Sequence, residues 1–307
     1  RSRGLGDVYK RQTKRTVEGV LDAVRSTPQI DYLYVSGNHD DKTHAFVDQD
    51  VPQNFKSFTD QWSTFVYGDV AVSGIEITKA SAARLYEQLP AQKSKVNIVM
   101  LHGQISTACE VDQVNLNLLK GKNIQYLALG HIHTYICEQL DRDGIYCYPG
   151  CLEGRGFDEC GEKGFVVLDT AARKLEPEFV PFSTRQLHRV KVDITGASTN
   201  SAVYQEMKKA AQQISERDMV EFILTGAADP SARIAKKYLY NLAKDDFFFI
   251  KIKDETKLVL DPKDYEKDVS LKGEFVRLVM ASDASEEDKV KIIRTGLEAL
   301  TGEEVTV

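Results

Sequence analysis

Tyr126-Leu127-Ala128-Leu129-Gly130-His131-Ile132-His133 is an apolar run that breaks off into a glycine and two histidines. Four consecutive apolar residues fit a strand buried on both faces, and Gly130 marks the turn that ends it. Two other stretches share this pattern. Residues 32–35 run into Ser36-Gly37 and then Asn38-His39-Asp40, and residues 96–101 run into His102. Each polar group stands just past the carboxyl end of an apolar strand. In an open α/β sheet that edge is where ligands bind.

The neighbouring sequence supplies the rest of such a sheet. Val17, Val20, Leu21 and Val24 fall on one helical face, and Pro28 ends it. Further strands are expected over 70–77, 145–148 and 165–168. Ser81 is placed to cap a helix carrying Ala83, Leu85, Tyr86 and Leu89. Strands alternating with helices indicate an α/β layered domain, which is expected to close near Pro181.

A second unit follows. Val190, Val192 and Ile194 alternate as in a strand, and Val203, Met207, Ala210 and Ile214 form a helical stripe. Val220, Phe222 and Leu224 alternate again. Asp229-Pro230 is a helix start, continued by Ile234, Tyr238 and Leu242, and strands are expected at 247–252 and 258–260. This order predicts a small α+β domain. The end is helical, with one stripe from Leu271, Phe275, Leu278 and Val279 and another from Val290, Ile293, Leu297 and Leu300. Ser285 and Asp288 approximate a capping box at the start of the second.

The net charge of −6 counts against a stand-alone DNA-binding module, which is usually basic. It says less about a hydrolase whose bound cations offset the acidity of its own site. No apolar run approaches the ~20 residues of a membrane span, and no signal peptide opens the chain, so a soluble, cytoplasmic protein is expected. The five cysteines include no Cys-x-x-Cys pair. Cys147, Cys151 and Cys160 can be drawn into a zinc site with His131 and His133, but small half-buried thiols are the preferred reading.

Neutral imidazoles with a side-chain amide oxygen suit borderline divalent ions such as Mn, Fe or Zn. Two such ions about 3.5–4 Å apart can activate a water and stabilise an in-line displacement at phosphorus. Gly-Asn-His-Asp at 37–40, a lone His102 after a strand, and Gly-His-x-His at 130–133, in that order, resemble the last three motifs of the calcineurin-like metallophosphoesterases. Tyr148-Pro149-Gly150 and the stretch from Glu153 to Asp158 are similar to the DNA-repair exonuclease branch, the SbcD-type nuclease subunits.

That resemblance implies a fold, a site and partners. The fold is a four-layer αββα metallophosphoesterase sandwich over residues 13–183, with an α+β capping domain at 184–262 and a C-terminal helical partner-binding region at 263–307. Asn38, His102 and His131 would bind one metal and His133 the other, with Mn the expected ion of both. His39 would act on the phosphate or the leaving alkoxide, with Asp40 orienting it. Arg155 is weighed as a substrate-phosphate contact against a loop pair with Asp158. The partners implied are a DNA substrate, an SMC-like ATPase subunit of the SbcC type, and a second copy of the chain in a homodimer.

The family also carries Asp-x-His and then Gly-Asp-x-x-Asp ahead of these motifs. No Asp-x-His precedes residue 37, and residues 1–12, four of them Lys or Arg, read as a foreign or disordered segment. Within them Gly6-Asp7 resembles the start of the second motif, with Asp7 a candidate bridging ligand and Lys10 where an acid or His is usual. Two alternatives therefore stand beside the nuclease. One is a small-molecule phosphoesterase of the same fold, acting on nucleotides or lipid-linked diphosphates. The other is a non-catalytic scaffold subunit with an incomplete metal site. His44, His188, Asp41, Asp48 and Asp50 read as structural or solvated. Lys208, Lys209, Arg233, Lys236 and Lys237 read as solvated helix faces rather than a DNA surface.

Overall fold

The computed structural model describes residues 14–37, 50–82, 84–171, 175–228, 234–258, 265 and 268–300. The chain divides into two compact units, Arg1–Gln186 and Leu187–Val307.

The first unit opens with helix α1 (Lys14–Arg25). Val17, Leu21 and Val24 are buried, whereas Val20 is 44% exposed, contrary to the expected stripe. At 3.6 residues per turn Val20 lies roughly 60° around the axis from Val17, at the margin of the buried face. Strand β1 (Tyr32–Tyr34) pairs in parallel with β2 (Phe55–Ser57). The central sheet contains β3 (Ser63–Tyr67), β4 (Val70–Gly74) and β5 (Val96–His102). After the short parallel pair β6 (Gln104–Ile105) and β7 (Gln113–Val114), it gains β8 (Tyr126–Gly130), β9 (Ile136–Gln139) and β10 (Ile145–Tyr148).

Its order is β3-β4-β5-β8-β10-β9. The four inner strands are parallel, and β3 and β9 run antiparallel at the edges. A parallel interior requires apolar residues on both faces, which is why 126–129 reads as an unbroken apolar run. Val99, Leu101, Leu127 and Leu129 form the core with Leu85, Tyr86 and Tyr148. Strands β11 (Gly164–Leu168) and β12 (Pro177–Pro181) form an antiparallel pair.

Two expected elements differ. Strand β4 ends at Gly74, where a Cβ would strike the Phe58 ring at 2.7 Å, and Glu76 N–H then bonds Thr59 O instead of continuing the ladder. The segment after Ser81, expected as a helix, forms consecutive turns among its described residues. The Ser81 hydroxyl donates to Glu76 O at 2.6 Å and accepts from Thr78 N at 2.8 Å, so it serves the preceding loop. Ala82, Leu85 and Tyr86 are nevertheless buried, as core residues of a turn rather than of a helix.

The second unit follows the expected order. Strand β13 (Leu187–Asp193) leads through α2 (Asn200–Ala210) to β14 (Met219–Thr225). After the short β15 (Ala227–Ala228), helix α3 (Lys236–Ala243) leads to β16 (Phe249–Asp254) and the short β17 (Lys257–Leu258). Strands β13, β14 and β16 are all parallel. Their inner face packs on Val203, Met207, Leu239 and Ala243. Tyr238, expected to continue this helix with Ile234 and Leu242, is 54% exposed, and the buried residues of α3 are Leu239 and Ala243. The Asp229-Pro230 start lies outside the described residues.

Helices α4 (Leu271–Met280) and α5 (Glu286–Leu300) close the chain. The Ser285 cap forms, its hydroxyl accepting from Asp288 N–H at 3.1 Å. Gly296 presses against the Phe275 ring, leaving no room for a Cβ. Val276 and Val279 are buried with Ile293 and Leu297, while Leu271 and Leu278, expected on the buried stripe, face solvent.

Candidate metal centre

His102 ends β5 and pairs in register with Gly130, the last residue of β8. Burial alternates along β5, with Asn97, Val99 and Leu101 facing the core. His102 therefore shares the opposite face with Ile98 and Met100. There it borders a cavity of about 480 Å3 whose wall also includes Leu33, Val35, Leu129 and Phe165.

The ring of His102 sits where two glycines leave space. A Cβ on Gly130 would lie 2.7 Å from its Nδ1, and one on Gly37 would lie 2.8 Å from its Cε1. Both glycines read from the sequence as turn residues, so their second role, making room for His102, was not legible there. His131 follows with φ 102°, a left-handed backbone rarely held by a residue with a side chain. Such strain costs on the order of 1–3 kcal/mol and persists where the surroundings impose it.

The outcome is a pair of imidazoles, His102 and His131, with ring centres 5.4 Å apart and planes at 85°. With metal–nitrogen bonds of about 2.1 Å, two imidazoles on one ion place their ring centres roughly 4.5–5.5 Å apart. The separation of the pair lies within that range.

His133 occupies a different setting. Its Nδ1 lies 2.5 Å from Glu159 Oε1, and its carbonyl accepts from Lys163 Nζ at 2.7 Å. Burial alone would raise the Glu159 carboxyl. The hydrogen bonds from His133 and from the Arg155 N–H outweigh it and hold the group below the ordinary range. Cys151 is the third member of the cluster, its thiol pushed up by burial and by Glu159. Tyr148, expected here as part of Tyr-Pro-Gly, is buried, and its hydroxyl donates to Gly103 O at 2.8 Å. Gly150, at φ +81°, lets the chain pass against the backbone of residues 133–135.

Sequence reasoning singles out Glu153, Arg155 and Asp158 in this loop and misses Glu159. Glu153 caps the Thr184 N–H at 2.6 Å, a structural task. Arg155 donates its main-chain N–H to Glu159 at 2.8 Å, and its side chain is exposed. Of the zinc grouping considered above, only Cys151 and His133 come together. Cys147 is buried opposite Cys137 on β9, and Cys160 is exposed. His188 pairs with Asp218 at 2.9 Å, as a structural histidine. Asn38, His39, Asp40, Asp41, His44, Asp48 and Asp7 lie outside the described residues, whereas Asp50 is described and exposed.

The calcineurin-like phosphoesterase superfamily domain matches residues 4–173, more than half of the chain. The chain belongs to the calcineurin-like phosphoesterase superfamily. The matched span takes in Asp7, the Gly-Asn-His-Asp stretch, His102 and the Gly-His-x-His stretch. The chain is also similar to the uncharacterized metallophosphoesterase YhaO of Bacillus subtilis (strain 168), with 24% identity over 214 residues, 65% of this chain and 52% of that protein. It therefore spans about half the length of that relative. Calcineurin-like phosphoesterases use divalent metal ions, and the imidazole donors of His102, His131 and His133 agree with that chemistry. Among the described residues no helix is long and apolar enough to cross a membrane.

Proposed function

We propose that this metallophosphoesterase hydrolyses phosphodiester bonds in DNA with two Mn ions, as a nuclease subunit of the SbcD type. The observation that carries the metal assignment is the near-perpendicular His102–His131 pair, with the His102 ring seated between Gly37 and Gly130. His102 and His131, with Asn38, would hold one ion, and His133 the other. Bound there, the ions would supply Lewis acidity and a water acidic enough to deprotonate near neutral pH.

The chain's own groups do the rest. His39 would protonate the leaving alkoxide, with Asp40 fixing its orientation. Asp7 is retained as the bridging carboxylate and Arg155, on its exposed loop, as the phosphate contact. Support for a polyanionic substrate comes from the second unit. The outer face of its sheet carries Arg189, Lys191, Lys251 and Lys253 with two acids, Asp193 and Glu221, the latter paired with Arg189, Lys251 and Lys253. The helical tail, which leaves Val269, Leu271 and Leu278 exposed, is the place proposed for an SMC-like ATPase partner.

The net charge of −6 favours a second reading, a small-molecule phosphoesterase. Assaying the Mn-loaded chain on single-stranded DNA and on bis-p-nitrophenyl phosphate separates the two. Cleavage of both is expected. Cleavage of the small ester alone would overturn the nuclease reading while leaving phosphoesterase chemistry in place.

A further inference from the structure

We propose that Glu159 is a positioning residue that holds the His133 ring with Nδ1–H inward and Nε2 presented to a divalent cation, while Lys163 anchors the backbone from which that ring projects. This rests on the reading of His133 as a metal ligand.

A carboxylate only accepts hydrogen bonds. Glu159 Oε1, 2.5 Å from His133 Nδ1, therefore requires the proton on Nδ1, so that Nε2 is the nitrogen that offers a lone pair to a cation. Nε2 itself has no hydrogen-bond partner among the described residues. The carboxylate cannot swing away, because its second oxygen accepts the Arg155 N–H at 2.8 Å. Glu159 is 13% exposed and His133 42%, so the shielded carboxylate backs a ring whose outer edge faces solvent.

The backbone is held as firmly as the ring. Lys163 is 2% exposed, and its Nζ donates to His133 O at 2.7 Å. A lysine so deeply buried, bonded to one main-chain carbonyl, fixes the position of that carbonyl and of the ring beside it. Carboxylate–histidine pairs of this kind orient metal ligands and raise their basicity.

The same residues admit a rival, an ion held by His133, Cys151 and Glu159, whose ligand atoms lie within 4.8 Å of one another. Coordination through Nδ1 would have to displace the hydrogen bond to Glu159, and it would place a cation next to the buried Lys163. The geometry favours Nε2.

The test is a Mn titration of the full chain, followed by electron paramagnetic resonance of free Mn. It compares the wild type with His133→Ala, Glu159→Ala, Glu159→Gln and Cys151→Ser. Long-range 1H–15N NMR of the metal-free wild type and Glu159→Gln reads the His133 tautomer without any metal. The expected result is a Mn affinity lowered about 10- to 100-fold by Glu159→Ala. Glu159→Gln, which keeps an acceptor, should lose less, and Cys151→Ser should bind as the wild type does. The metal-free ring should be the Nδ1–H tautomer. Wild-type affinity in both Glu159 variants, with loss in His133→Ala, would overturn the positioning role alone. A loss in Cys151→Ser equal to that in Glu159→Ala would overturn it in favour of the three-residue site. Unchanged binding in His133→Ala would overturn the reading of His133 as a ligand and the proposal with it, and no binding in the wild type would overturn the metal reading as a whole, whatever the tautomer.

Discussion

Gly130 and His102 face each other across paired strands so closely that a Cβ on the glycine would stand 2.7 Å from the imidazole Nδ1. Both backbones are fixed by the sheet, so an added methyl must move the ring. Gly130→Ala is expected to destabilise the first unit by about 1–3 kcal/mol, the usual result of overpacking, and to weaken Mn binding. Urea unfolding and a Mn titration check the two effects. Retained affinity would show that His102 does not depend on this space.

Gly19 is the opposite case. It is exposed on α1, and a Cβ added there would meet nothing within 4 Å. Gly19→Ala should therefore raise stability by about 0.5–1 kcal/mol, read by the same unfolding experiment.

Glu221 has no exposed side-chain surface and lies within 2.6, 3.1 and 3.2 Å of Arg189, Lys251 and Lys253. Burial would raise its carboxyl, but these cations overcome that and depress it below the ordinary 4.5. A depressed carboxylate contributes stability above its unfolded value, and that contribution disappears as pH falls through the lower folded value. Glu221→Gln should thus destabilise the second unit at pH 7 by about 1.5–3 kcal/mol. The difference from wild type should shrink below about pH 4.5. Thermal unfolding against pH measures it, and a difference constant with pH would contradict the charge-based account.

Burial pushes the Tyr148 phenol up to about 12. An acid raised in the folded state stabilises fully below its unfolded value near 10 and ceases to do so as pH rises through the folded one. Stability should therefore fall between about pH 10 and 12. Tyr148→Phe should remove its share of that decline, leaving the share of Tyr126 and Tyr146, which burial also raises. At pH 7 it should cost about 1–3 kcal/mol by stranding the Gly103 carbonyl. Tyrosinate absorbance during alkaline titration follows the ionisation, and urea unfolding at pH 7 reads the cost.

The strands that carry the histidines were legible because parallel, doubly buried strands appear as unbroken apolar runs, as at 96–101 and 126–129. Less was legible where a residue's task lies elsewhere in the chain. Ser81 looks like a helix cap, yet its hydroxyl is taken up by Glu76 and Thr78. Tyr238 has helical spacing, but the neighbouring Leu239 points to the core. Glu159 meets His133 across 26 residues of chain, a contact with no local signature. Gly37 and Gly130 announce turns, while the ring they accommodate belongs to a third stretch of chain.

The most direct test of the metal centre is the Mn content per chain after loading and removal of free metal, for wild type, His102→Ala and His131→Ala. Bound Mn in the wild type that is lost in both variants is expected. Absence of Mn from the wild type, or its full retention in both variants, would contradict the assignment of the His102–His131 pair as a metal site.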